Sequence, residues 1–191
     1  MTLHADAVAL LESFAPTDVS QRAVREAMLA FLAARPDGMQ RSCIPGHFTA
    51  SAVVVDPSRD AVLLTLHRRL GLWLQLGGHC EPGDATVPDA ALREATEESG
   101  LAGLVLDPAP LDLDVHPLTC SLGVPTRHLD IRFLIRAPAG AEAVITDESL
   151  RLDWFPFSRL PTPLGDSVAE LIDRARTRLG INSAVETSST R

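Results

Sequence analysis

Near the N-terminus apolar residues recur at helical spacing, at Val8, Leu10 and Leu11 and again at Val24, Met28, Leu29 and Leu32. Two helices are expected between residues 2 and 34, joined near Pro16, with Ser20 capping the second and Pro36-Asp37-Gly38 ending it. From Phe48 the period changes. Segments 48–56 and 61–66 are rich in β-branched and apolar residues and flank Pro57-Ser58-Arg59-Asp60, so they read as a hairpin. Residues 73–76 read as a short strand leading into Gly77-Gly78, and 104–118, 127–136 and 151–157 as further strands. Helical spacing returns twice. Val87, Ala91, Leu92 and Ala95 form an apolar stripe on a helix over 87–99, and Val168, Leu171, Ile172 and Ala175 turn inward on a helix over 166–179.

This order of elements predicts an α+β fold, a mixed β-sheet between helices in an α/β/α sandwich, with an N-terminal helical extension. The extension, 1–45, is too small to bury a core alone and should pack on the domain at 46–181 or contribute to a homodimer interface. The Ser- and Thr-rich tail, 182–191, is expected to be disordered.

Composition narrows the function classes. The chain has 191 residues, 46% of them hydrophobic, enough core for one domain with appendages. A formal charge of −8 disfavours a polyanion-binding face, so polymeric nucleic acid is not the expected partner. No run of eighteen apolar residues and no basic-then-apolar leader occurs, so neither membrane attachment nor export is expected and the cytoplasmic compartment follows. Cys43, Cys80 and Cys120 form no Cys-x-x-Cys pair and read as reduced thiols.

The chemistry concentrates on the helix at 87–99. Thr86 with Asp89 forms a capping box, and Pro88 is tolerated because it falls in the first turn. At about 100° per residue, Glu94, Glu97 and Glu98 share an arc of roughly 100° and can face one point. Clustered carboxylates repel unless a cation neutralises them, and all-oxygen donors suit Mg²⁺ or Mn²⁺.

The stretch Gly77-Gly78-His79-Cys80-Glu81-Pro82-Gly83-Asp84, followed by Arg93-Glu94-Ala95-Thr96-Glu97-Glu98-Ser99-Gly100-Leu101, resembles the signature of the Nudix hydrolases. Gly78, Arg93, Glu94, Ala95, Glu97, Glu98, Gly100 and Leu101 match that box. Two positions depart from it: the first acid is Asp84 rather than Glu, and eight residues rather than seven separate it from Arg93.

The resemblance implies metal binding by Glu94, Glu97, Glu98 and the Gly78 carbonyl, with Arg93 orienting the acids. It also implies a further acid from outside the box as ligand or general base, and Glu148 in Thr146-Asp147-Glu148-Ser149 is the best placed. Glu94, Glu98, Arg93 and Glu148 are thus the candidate catalytic residues. The implied reaction is metal-dependent hydrolysis of a diphosphate linkage in a nucleoside diphosphate joined to another group. The alternative is a catalytically weak nucleotide-binding or regulatory module on the same fold.

Substrate contacts are less sharply written. His79 directly follows Gly78 and is expected to touch phosphate, with binding of a transition metal as the alternative, and Arg68 and Arg132 are candidates to neutralise the phosphate. His47, His67, His116 and His128 fall in segments near the expected site, but their spacing forms no zinc signature. Tyr is absent, and Phe48, Trp73, Phe133 and Trp154 sit at strand positions expected in the core, so the group beyond the diphosphate stays open.

Overall fold

A computed structural model describes residues 1–119, 123–145 and 149–181 of the chain. Its elements are α1 (Leu3–Ser13), α2 (Val19–Ala34), β1 (His47–Asp56), β2 (Ala61–His67), β3 (Trp73–Leu74), β4 (Leu76–His79), α3 (Val87–Ser99), β5 (Val105–Thr119), β6 (Pro125–Arg136), β7 (Ser149–Pro156) and α4 (Val168–Leu179). The expected tail at 182–191, Cys120 and Glu148 lie outside the described residues.

β1 organises the sheet. It is buried along its whole length because strands flank both its edges and helices cover both its faces. β6 runs parallel to it, with His47 beside His128 and Ala52 beside Phe133. The other edge is shared by two strands, β2 pairing at Val54–Asp56 and β4 at Thr49–Ala52. β3 pairs with β2, so the chain crosses from β2 to β1 at Gln75. The single strand expected at 73–76 is therefore two, and Gly77 and Gly78 lie within the second. β7 completes the β2 edge and β5 the β6 edge.

Alternation along β1 divides the interior. Phe48, Ala50, Ala52 and Val54 join one core with Ala7, Leu11, Met28 and Leu32 of the N-terminal helices and Val87, Ala91 and Ala95 of α3. Val53 and Val55 face the other way and join Val168, Leu171, Ile172 and Ala175 of α4. The sheet thus lies between helices, as expected. The N-terminal helices share the principal core; Gln21 of α2 exchanges two hydrogen bonds with the Leu113 backbone, at 2.9 and 2.8 Å. The cap of α2 is Asp18 rather than the expected Ser20: its carboxylate accepts from the Ser20 N–H at 2.8 Å.

Candidate active site

α3 is positioned at both ends. Thr86 Oγ1 accepts from the Asp89 N–H at 3.2 Å, and Asp6 of α1 accepts from the Val87 N–H at 2.8 Å, so two first-turn donors are satisfied. Gly100 ends the helix in the left-handed conformation, φ 64°. The buried Ala90, Ala91 and Ala95 allow close approach to the sheet. At Gly78 this leaves no room for a side chain: a Cβ there would lie 2.8 Å from the Glu94 carboxylate. One turn further, Glu98 Oε2 accepts from the Gly77 N–H at 3.3 Å. The two glutamates therefore meet the same short piece of β4 backbone.

Arg93 ties the acids to the preceding loop. Its Nη1 donates to Glu94 Oε1 at 3.0 Å and Glu97 Oε2 at 3.1 Å, and its Nη2 to the His79 carbonyl at 3.0 Å. Its remaining fork grips Asp84, Nε to Oδ1 at 2.9 Å and Nη2 to Oδ2 at 3.1 Å. Asp84 also accepts from the Glu81 N–H at 2.7 Å. Burial alone would raise the Asp84 carboxyl, but these donors outweigh it and hold it below the ordinary range. Arg93 is shifted upward, chiefly by its hydrogen bonds to Asp84. Asp84 itself lies in the loop ahead of α3, which begins at Val87.

The candidate residues do not all converge. Gly78, Glu94, Glu98, Arg93 and Asp84 are assembled, while the Glu97 side chain is 61% exposed and reaches Arg93 from outside. Arg68 is exposed in the turn between β2 and β3. Glu148 precedes β7, whose Ser149 pairs with His67 at the end of β2.

Arg132 has a different setting from an open phosphate anchor. It is 3% exposed and pairs with Asp130 at 3.0 Å, Asp114 at 2.9 Å and Asp112 at 3.3 Å. Ser167 takes a further N–H from it at 2.9 Å. Thr49 and Ser51 donate to Asp130 at 2.9 and 2.6 Å, completing a buried polar network. These acids belong to no motif in the sequence, yet a signal marks them. Asp112-Leu113-Asp114-Val115-His116 and His128-Leu129-Asp130-Ile131-Arg132 alternate with period two, which places every polar residue on one face of adjacent strands.

The same face carries a row of histidines across four neighbouring strands: His79 on β4, His47 on β1, His128 on β6 and His116 on β5. His79 Nε2 lies 3.1 Å from His47 Nε2, and His47 Nδ1 lies 3.3 Å from the Cys43 carbonyl. Burial, aided by Arg41 and His47, pushes His79 down to about 4, and burial with the neighbouring histidines pushes His128 to about 3. Both are neutral imidazoles near pH 7.

The NUDIX domain model matches residues 45–175, which leaves α1 and α2 outside it. No curated protein matches. Among solved structures, an Ap4A hydrolase from C. elegans aligns with TM-score 0.55 at 16% identity, over 70% of this chain and 97% of that one. The E. coli dihydroneopterin triphosphate pyrophosphohydrolase gives 0.54 at 23%, over 66% and 92%. A NUDIX-family hydrolase from Clostridium perfringens gives 0.52 at 25%, over 71% and 97%.

Proposed function

We propose, on the premise that the chain belongs to the NUDIX family and is a Nudix-type hydrolase, that it uses Mg²⁺ or Mn²⁺ to cleave a diphosphate linkage in a nucleoside diphosphate joined to a further group. The observation that carries this reading is the meeting of Glu94 and Glu98 on the Gly77-Gly78 backbone, with Arg93 anchoring the array. The donors fit a hard divalent cation: they are carboxylate and carbonyl oxygens, and the missing Cβ of Gly78 keeps the backbone beside Glu94. Glu94, Glu98 and the Gly78 carbonyl would hold the ion, with Glu97 joining from the solvent side. Such an ion relieves the charge repulsion that protects a diphosphate from nucleophiles.

The chain's own residues do the rest. Arg93 fixes Glu94 and Glu97 while Asp84 fixes Arg93, so the carboxylates are held before substrate arrives. Glu148, just before β7, is assigned as general base, taking the proton of the attacking water on its carboxylate. Arg68 is retained as a phosphate contact because its turn is exposed, whereas Arg132 is assigned to the buried network.

The named substrates of two fold relatives, Ap4A and dihydroneopterin triphosphate, have a phosphoanhydride in common but differ in the rest. The test is therefore chromatographic analysis of the products from a panel of nucleoside triphosphates, dinucleoside polyphosphates, nucleotide sugars and coenzymes, with and without Mg²⁺ or Mn²⁺, since cleaving the diphosphate leaves a phosphate on each fragment. Metal-dependent cleavage that falls at least about 100-fold in Glu98→Gln, roughly 2.7 kcal/mol of barrier, is expected. Nucleotide binding without cleavage across the panel would replace the enzyme with the regulatory module.

A further inference from the structure

We propose that His47, His79 and His128 form a second metal site, specific for a divalent transition ion of the Zn²⁺ class and separate from the carboxylate site of α3. One nitrogen from each ring lies within 4.8 Å of those of the other two. The rings themselves cluster, with centroids 5.0 Å apart for His47 with His79, 5.0 Å for His47 with His128 and 5.1 Å for His79 with His128. They come from three adjacent strands, so the sheet's own hydrogen bonding holds the backbone beneath them.

Two details favour a cation at the centre over a network of hydrogen bonds. His128 Nε2 is buried and has no hydrogen-bond partner, an unfavourable arrangement that a coordinate bond would remove. His47 Nδ1 faces the Cys43 carbonyl at 3.3 Å; a proton donated there leaves the Nε2 lone pair facing the cluster. That is the way a metal-ligating imidazole is usually oriented, by a carbonyl on its other nitrogen. His79 and His47 already stand 3.1 Å apart, close to the roughly 3.3 Å between donors of a tetrahedral ion with bonds near 2.0–2.1 Å.

Donor chemistry separates the two sites. Imidazole nitrogen prefers Zn²⁺, Co²⁺ or Ni²⁺, and carboxylate oxygen Mg²⁺ or Mn²⁺. Three protein ligands leave one tetrahedral position for water or an anionic oxygen. His116, whose ring centroid is 5.4 Å from that of His128, is held by Asp114 at 2.6 Å and flanks the set. The site makes His79 a ligand in place of a direct phosphate contact, and it does not depend on which substrate is cleaved.

The experiment is titration of the full chain with Co²⁺ in saturating Mg²⁺, read by visible absorption, followed by displacement with Zn²⁺. Expected are the intense bands of tetrahedral Co²⁺ at one equivalent per chain, retained in the Glu94→Gln, Glu98→Gln double variant. His79→Gln and His128→Gln should each weaken binding at least about tenfold, each with an unchanged circular dichroism spectrum. Should those variants unfold, X-ray absorption of the Zn²⁺-loaded wild-type protein decides, since imidazole scattering identifies the ligands without mutation. Absence of tetrahedral bands, binding lost in the glutamate variant but kept in the histidine variants, or an all-oxygen shell would each overturn the proposal.

Discussion

Asp84 and Arg93 form a two-point ion pair, Nε to Oδ1 at 2.9 Å and Nη2 to Oδ2 at 3.1 Å, that ties the loop ahead of α3 to the helix. The Asp84 side chain is only 6% exposed, so the pair is shielded from the screening that makes surface ion pairs weak.

Asp84→Asn should therefore act on the metal site without touching a proposed ligand. A drop in Mn²⁺ affinity of about 10–100-fold is expected, the usual effect of removing a group that orients ligands. Mn²⁺ titration followed by electron paramagnetic resonance measures it, and unchanged affinity would show that Arg93 needs no such anchor.

The glycines of β4 separate stability from catalysis. In Gly77→Ala the Cβ would overlap Ser51 and come within 2.7 Å of the Ala50 carbonyl at a φ of 149°, so a large fall in thermal midpoint is expected. Gly78→Ala collides with the Glu94 carboxylate at 2.8 Å, a side chain that can move, so activity should fall more than stability. Gly83→Ala meets nothing within 4 Å and serves as a neutral control. Comparing kcat with melting temperature in the three variants distinguishes these effects. Equal behaviour of Gly77→Ala and Gly83→Ala would contradict the packing described.

Arg132→Leu should destabilise the fold by about 3 kcal/mol, the lower end for leaving buried charges unpaired, because Arg174 still meets Asp112 at 3.1 Å and Thr49 and Ser51 still meet Asp130. Denaturation in urea reads the change. A variant of normal stability with a raised KM would instead return Arg132 to the role of phosphate anchor.

Asp56 gives the pH dependence. It is fully buried, and its carboxylate accepts from the Ser58 N–H at 2.9 Å, the Ser58 hydroxyl at 2.6 Å and the Gly140 N–H at 2.8 Å. Burial alone would raise its pKa, but these donors and Arg59 hold it below the ordinary 3.8. The folded state thus binds this proton less readily than the unfolded chain, so the stabilisation is present above pH 3.8 and lost as pH falls through the folded value. Asp56→Asn should lower the melting temperature at neutral pH, with the gap from wild type narrowing on acidification below that value. A gap independent of pH would show that Asp56 acts only through packing.

Local chemistry determined much of this protein. The capping box at Thr86, the proline in the first turn and Gly100 at the stop are short-range signals, so α3 and its acid arc are legible from the chain alone. Strand runs such as 48–56 and 127–136 are equally legible, because period and β-branched content act within each segment. Tertiary structure decided what depends on register between strands distant in sequence. Nothing local says that β1 and β6 run parallel with His47 beside His128, or that β4 pairs with β1 rather than continuing along β2. Those pairings gather the histidines on one face, surround Arg132 with three carboxylates and press Gly78 against Glu94. A side chain's partners across a sheet follow from the minimum of the whole fold, whereas its place on its own strand follows from the period of two.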